Sequence, residues 1–368
     1  MNLFSDYTSI TLNGTFLKGA EIEDFCKRQN SDFFLHVASF MNEWLNPNSY
    51  ISLKTSGSTG APKTILIEKN KMLFSAARTA EYFNFKKGQK ALLCLPINYI
   101  AGKMMIVRAL FSGLDLICIN PSQNPLEALN HNIIIDFAAM IPLQLQQAIN
   151  LPSLSQIKKI LLGGGPVSPE LEKQTQQIPV ELFHGYGMTE TLSHIALRRV
   201  NGMNASQSYK ALKGIELGID ERNCLTITAP DLFDETLITN DVVLFTDTNE
   251  FIWQGRYDNI INSGGIKLIP EEIEIKLQSL FTNRFYFTGI KDEQWGEKLI
   301  LIIEGVPFDE SAIIPLKSKM EALLNKYEVP KEIYFVNNFT EASNGKINRA
   351  LTTAKALPSG ALKMTIHQ

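Results

Sequence analysis

Between Ile51 and Gly185 short apolar runs, KALLCLP, DLICIN, KKILLGG and VELFHG, alternate with helix-like segments such as EKNKMLFSAARTAEYF and SPELEKQTQQ. A chain that alternates strand and helix in this way folds as a mostly parallel sheet covered by helices. From Leu192 to Trp253 the pattern changes to strands separated by turn residues, HIALRRV, YKALKGIELG, CLTITAP, LITND and LFTDTNEFIWQG. That stretch reads as a β-rich subdomain closing off the first unit. After Gly255 a second mixture begins. PEEIEIKLQSL reads as a helix with proline in its first turn, RFYFTGI and EKLILIIEG as strands, SAIIPLKSKMEALLNKY as a helix and KEIYFVNNF as a strand. The expected fold class is α/β, with a large N-terminal domain over residues 1–255, a junction at 256–258 and a compact α+β C-terminal domain over 259–368.

Composition removes several function classes. Of 368 residues, 45% are hydrophobic and 20% charged, which excludes a disordered, collagen-like or disulfide-scaffold chain. Lysine plus arginine (35) nearly balances aspartate plus glutamate (38), and the net charge of −3 makes no electrostatic case for nucleic acid or an anionic membrane. Cys26, Cys94, Cys118 and Cys224 lie far apart without a CxxC pair, which fits neither a zinc site nor a disulfide framework and suits a reducing compartment. The N-terminus lacks the order of a signal peptide, and the most apolar stretch, Ile133 to Leu143, contains Asp136 and is too short to span a bilayer. A soluble, cytoplasmic protein with no membrane insertion is expected.

The strongest local signal is ISLKTSGSTGAPKTI at 51–65: an apolar strand, then Thr55, Ser56, Gly57, Ser58, Thr59, Gly60, then Pro62 and Lys63. Small hydroxyl residues and glycines let backbone N–H groups approach an anion, and Lys63 adds a cation, so the segment suits phosphate as well as an ordinary polar turn. A Walker A loop aligned from Gly57 fails at its second glycine. That position is Pro62, which has no N–H to offer a phosphate.

TSGSTGAPK resembles the phosphate loop of the adenylate-forming superfamily, which contains acyl-CoA synthetases, nonribosomal peptide adenylation domains and luciferases. Other pieces of that superfamily's pattern follow in order. LLGGGP at 161–166 resembles the strand and glycine turn (Gly163, Gly164, Gly165, Pro166) against which adenine lies. HGYGMTET at 184–191 resembles the Y-G-x-T-E core. The resemblance implies that Tyr186, flanked by Gly185 and Gly187, stacks on adenine, that Thr189 bonds the α-phosphate and that Glu190 holds Mg²⁺. LITND at 237–241 resembles the T-G-D segment with Asn240 in place of glycine, which makes Asp241 the acceptor of the ribose hydroxyls. WQGRYDNIINSGGIKLIPEEIE at 253–274 closely resembles the superfamily's domain junction, which implies that Arg256 contacts ribose or phosphate, that Asp258 is the hinge and that Ser263-Gly264-Gly265 is the loop used in the CoA step. NGKINR at 344–349 resembles the C-terminal lysine motif, with Lys346 as the catalytic cation. These matches run from Thr55 to Arg349. The family's phosphate loop usually lies much deeper in the sequence, so the implied fold is a truncated adenylate-forming enzyme, with a smaller or more open acyl pocket and a mobile C-terminal domain.

The implied reaction is attack of a carboxylate on the α-phosphate of ATP, giving an acyl-adenylate and pyrophosphate, followed by displacement of AMP by the thiol of CoA. Positioning and charge neutralisation by Mg²⁺, Lys63 and Lys346 carry such a reaction. LPINYIAGKMM at 95–105 and GMTETLSHIALR at 187–198 resemble the o-succinylbenzoate–CoA ligases of menaquinone synthesis, with Tyr99 where such ligases often carry histidine. An aromatic dicarboxylate needs an apolar slot and a donor for the carboxylate that does not react. Tyr99 suits a pocket wall; Lys103, Ser193 and His194 are the nearest donor candidates and Arg108 one further off. Three alternatives stay open: an adenylating enzyme for another acid or for a carrier-protein phosphopantetheine, a P-loop phosphotransferase, and a non-catalytic acyl-binding module.

Overall fold

The computed structural model describes residues 3–55, 63–341, 347–357 and 364–365. An N-terminal hairpin of β1 (Ser9–Leu12) and β2 (Thr15–Lys18) precedes α1 (Ala20–Arg28) and α2 (Asp32–Leu45). A second hairpin, β3 (Tyr50–Thr55) and β4 (Lys63–Glu68), leads into α3 (Lys69–Phe83), β5 (Lys90–Leu93), α4 (Ile100–Ser112) and β6 (Asp115–Cys118). Then come β7 (Ile135–Met140), α5 (Pro142–Ala148), β8 (Ile157–Leu162), α6 (Pro169–Gln174) and β9 (Glu181–Gly187). The strands β9-β8-β7-β5-β6-β1 lie side by side, and every pair among them is parallel. The alternating part of the sequence thus forms the expected parallel sheet.

Its strands are apolar on both faces because both faces are covered. Successive residues point to opposite sides. Ala91 and Leu93 of β5 join Phe137, Ala139, Leu161 and Phe183 in the core that α2, α3 and α4 close. Leu92 and Cys94 join Ala138, Met140, Ile160 and Leu182 in the core on the other side, where Leu145 of α5 and Leu171 of α6 pack. Local chemistry starts the helices where the sequence places them: Ser168 accepts from the Leu171 N–H with Pro169 following it, and Pro270 occupies the first turn of its helix.

The β-rich stretch supplies β10 (His194–Arg199), β11 (Tyr209–Ala211), β12 (Glu216–Ile219), β13 (Cys224–Thr228), β14 (Leu237–Asp247) and β15 (Glu250–Arg256). They pair antiparallel in the order β12-β13-β14-β15-β11-β10 and continue onto β9, so one 13-stranded sheet runs through both parts. The direction of pairing changes at β9–β10, the hairpin of HGYGMTETLSH. After the junction, β16 (Ile261–Ser263), β17 (Ile266–Leu268), α7 (Pro270–Leu277), β18 (Phe285–Asp292), β19 (Gly296–Glu304), α8 (Glu310–Leu323), β20 (Glu332–Val336), α9 (Arg349–Ala356) and β21 (Met364–Thr365) form a separate sheet with its own apolar core around Phe287, Leu301 and Ile333. No helix among the described residues is long and apolar enough to cross a membrane.

Candidate active site

The β9–β10 hairpin carries the centre of the site. His194 pairs with Gly187 across it, and a Cβ added at Gly187 would lie 2.3 Å from the Ser193 carbonyl oxygen and 2.6 Å from the His194 Cα. Glycine is required there by the close approach of the two strands. Thr191 staples the turn: it accepts from the Met188 N–H at 2.9 Å, and its hydroxyl lies 2.7 Å from the Ser193 carbonyl. Leu192 takes a positive φ of 63° to close it. Thr189 is half-buried and Glu190 exposed on this turn, beyond the end of β9 where Tyr186 sits.

Tyr186 donates its hydroxyl to Asp241 Oδ2 at 2.6 Å, and the Trp253 indole N–H donates to Asp241 Oδ1 at 3.1 Å. Arg256 Nη1 lies 3.6 Å from the same oxygen. Burial together with the negative charge of Asp241 pushes the Tyr186 phenol well above its usual range, so it remains a donor. Asn240 is an ordinary strand residue without positive φ; its amide accepts from Arg222 and donates to both oxygens of Asp258 at 3.2 Å. Arg256 also donates to Asp258 at 2.9 Å. The junction residue is thereby tied to both neighbours of the Asp241 carboxylate.

A second cluster lies at the buried end of the hairpin. Arg108, 2% exposed, donates to the Ser193 hydroxyl and, at 3.3 Å, to Thr79 Oγ1. His194 Nδ1 is 3.1 Å from the Ser193 hydroxyl and Nε2 3.3 Å from Thr79 Oγ1. Thr79 gives its own proton to the Ser75 carbonyl, so His194 Nε2–H is the donor to Thr79 Oγ1. Burial, with the Arg108 charge beside it, holds the His194 pKa far below the usual histidine range. Burial lowers the guanidinium pKa of Arg108 to about 10, which leaves it charged at neutral pH. Among the described residues no carboxylate lies within ion-pair reach of Arg108.

Sequence reasoning grouped Lys103 with Ser193 and His194, and the structure separates them. Five helical residues turn the side chain by about 140°. The Lys103 ammonium accordingly sits over the Phe40 ring, 3.9 Å from Glu43 of α2, and burial lowers its pKa. Arg108, placed further off in the sequence, is the cation that joins Ser193 and His194. Tyr99 stands at the exposed N-terminus of α4, whose Gly102 lets the helix pack on the Pro96 carbonyl. Thr79, Tyr209 and Trp253 escaped notice. Trp253 lies within the junction string, whereas a threonine inside a helix carries no signal of a partner 115 residues away.

Gly163, Gly164 and Gly165 follow β8 with Gly164 at φ 83°, and a Cβ built on Gly163 or Gly165 would touch nothing within 4 Å. A bare glycine face of this kind suits a flat base. Gly185, behind Tyr186, would meet the His194 Cβ at 2.9 Å. Thr55 and Lys63 pair across the second hairpin through their backbones. Ser56, Gly57, Ser58, Thr59, Gly60 and Lys346 lie outside the described residues. Ser263 pairs with Ile266 in the β16–β17 hairpin; Gly264 and Gly265 have φ of 59° and 84°, and Gly264 donates to the Trp295 carbonyl at 2.8 Å with its face against the indole. Among the described residues no three metal-binding side chains converge. A single exposed carboxylate such as Glu190 suits Mg²⁺ that arrives with phosphates rather than a caged ion.

Comparison with known proteins points the same way. The profile of the AMP-binding enzymes matches residues 11–219. The 2-succinylbenzoate–CoA ligase of Haemophilus influenzae is 26% identical over 339 residues, covering 85% of this chain and 71% of that one. The ligase of the same name from Enterococcus faecalis is 25% identical over 333 residues, 80% of this chain and 67% of that one. Among solved structures, an acyl-CoA synthetase (AMP-forming)/AMP-acid ligase II-like protein from Dyadobacter fermentans is 37% identical with a TM-score of 0.60, covering 90% of this chain and 98% of that one. The o-succinylbenzoate CoA synthetase of Bacillus subtilis, in complex with its acyl-adenylate intermediate, shares the fold with a TM-score of 0.77 at 16% identity over 95% of this chain and 97% of that one.

Proposed function

The chain belongs to the AMP-binding enzyme family, and from that premise we propose that it is an AMP-forming acid–CoA ligase acting on an aromatic dicarboxylate of the o-succinylbenzoate type. The observation that carries the choice of acid is Arg108. A buried cation without a carboxylate partner is costly by several kcal/mol, and hydroxyl dipoles from Ser193 and Thr79 offset only part of it. A substrate carboxylate supplies the missing charge. Arg108 holds Ser193 of the same β9–β10 hairpin that carries Tyr186, and in this reading a diacid with one carboxylate at Arg108 directs the other toward the nucleotide end. The names of the Haemophilus and Enterococcus relatives support the same acid.

In this reading the glycine turn Gly163–Pro166 and the Tyr186 ring hold the base, and Asp241 and Arg256 hold the ribose. Thr189 and the loop Thr55–Gly60 with Lys63 hold the phosphates. Glu190 is the protein's ligand to Mg²⁺, which neutralises phosphate charge when bound. Lys346 offsets the charge that builds as the carboxylate attacks the α-phosphate. The unit beyond the junction, residues 259–368, turns about Asp258 so that Ser263, Gly264 and Gly265 serve the second step, in which the CoA thiol displaces AMP. The test is acid-dependent pyrophosphate release over o-succinylbenzoate, benzoate, acetate and a fatty acid. Release with the diacid well above the other three is expected; equal release with benzoate, or none with the diacid, removes the proposal.

A further inference from the structure

Three consecutive glycines at 163–165 make a turn that is loose by composition, since glycine loses more conformational freedom on ordering than any other residue. The turn is nonetheless anchored at both ends. The Gly163 N–H donates to the Met140 carbonyl at 3.1 Å, and the Gly165 carbonyl lies 2.9 Å from His184 Nε2. His184 is 7% exposed on β9, between Leu162 of β8 and Arg198 of β10.

A carbonyl oxygen only accepts, so His184 Nε2 carries the proton and Nδ1 is the bare acceptor. Nδ1 is met by the Tyr209 hydroxyl at 2.7 Å. Tyr209 is itself locked, with its ring stacked on Phe251 at 5.6 Å and the Arg198 guanidinium 5.6 Å above it; Arg198 is paired with Glu172 of α6. Burial and the Arg198 charge lower the His184 pKa to about 4, which keeps the imidazole neutral at physiological pH. Every polar atom of the ring has one partner, and the tautomer is fixed by the chain from Glu172 to Gly165.

We propose that His184 is a positioning residue for nucleotide binding: with Tyr209 fixing its tautomer, its Nε2–H holds the Gly165 carbonyl and orders the glycine turn before ATP arrives. This rests on the reading of Gly163–Pro166 as the seat of the base. An ordered turn spares the nucleotide the entropy of ordering it, so the effect falls on ATP binding and not on the acid.

Side-chain geometry provides the test. A glutamine amide reaches the place of Nε2, whereas an asparagine amide reaches only that of Nδ1. His184→Gln, His184→Asn and Tyr209→Phe are compared with wild type by KM for ATP, KM for the acid and thermal unfolding. His184→Gln is expected to stay within about two-fold of the wild-type ATP KM, and His184→Asn to raise it by about five- to ten-fold, as for one hydrogen bond, with the acid KM unchanged. Tyr209→Phe keeps the ring packing and is expected to raise the ATP KM by about three-fold or more, again alone. Should His184→Asn not fold, Tyr209→Phe and His184→Gln decide the matter. Wild-type ATP KM in folded His184→Asn or in Tyr209→Phe, a glutamine variant no better than asparagine, or a parallel rise in both KM values overturns the proposal while leaving the ligase reading intact. Absence of ATP binding by the wild-type protein removes that reading and the inference with it.

Discussion

Tyr186 and Asp241, 55 residues apart, are joined by a 2.6 Å hydrogen bond from the phenol to the carboxylate. The bond fixes the ring that is proposed to stack on adenine relative to the carboxylate proposed to accept the ribose. Asp241→Ala removes the acceptor altogether and Tyr186→Phe only one of its donors. A hydrogen bond to a charged group is worth about 1.5–3 kcal/mol, so the aspartate variant is expected to raise the ATP KM by about ten-fold or more and the phenylalanine variant by less. Pyrophosphate release measured against ATP concentration checks this; two variants within two-fold of wild type contradict it.

Arg108 gives a prediction in which stability and activity move apart. Arg108→Met keeps the length of the side chain and removes a buried charge that no carboxylate among the described residues neutralises. The free variant is expected to unfold at a temperature no lower than wild type, and to lose at least about ten-fold in o-succinylbenzoate affinity while any weak benzoate activity persists. Thermal unfolding without ligand and acid titrations read both quantities. A Tm lower by several degrees, with equal loss for both acids, shows that the arginine serves the fold instead.

The fold was legible because its signals are local. Apolar runs at β5, β6, β8 and β9 and proline at the start of α7 identify elements without reference to tertiary structure. That the β-rich stretch continues the parallel sheet edge to edge is not local: it depends on β10 folding back on β9, and alternating strands do not say whose edge they join. The proposed nucleotide end rests on motifs that lie in contiguous strings. The proposed acid end was legible only in part, because Arg108 and His194 meet through Ser193 and Thr79, and because the faces of α4 separate Lys103 from Arg108 by rotation rather than by distance along the chain.

Around Arg349, near the start of α9, two glutamates of α7 compete. Glu274 accepts from Arg349 at 2.8 Å and from the Phe287 N–H, and Glu271 lies 3.5 Å from Arg349. Burial pushes the Glu274 carboxyl up to about 7, with Glu271 adding to the rise and Arg349 opposing it. The folded state therefore binds this proton more tightly than the unfolded state, and the stability so gained is complete below pH 4.5 and lost as pH rises toward 7. Wild type is expected to lose stability relative to Glu274→Gln across that window. Denaturant unfolding of both proteins at several pH values measures the difference; a difference that is flat, or that grows in favour of wild type with pH, contradicts the assignment.

Lys346, two residues before Asn348 and the start of α9, is proposed to act only while adenylate forms. Lys346→Ala is expected to lose at least about a hundred-fold in pyrophosphate release yet to convert supplied acyl-adenylate and CoA to thioester at near wild-type rate, because stabilising developing charge is its only task. Assays of the two half-reactions with purified adenylate separate the steps. Equal loss in both contradicts a lysine confined to the first.

The most direct test of the account is the complete reaction with its products identified. Purified protein with ATP, Mg²⁺, CoA and o-succinylbenzoate is expected to yield o-succinylbenzoyl-CoA, AMP and pyrophosphate in equal amounts by mass spectrometry, with benzoate giving little thioester. ADP in place of AMP, no thioester from the diacid, or thioester from benzoate at the same rate contradicts an AMP-forming ligase whose Arg108 selects a second carboxylate.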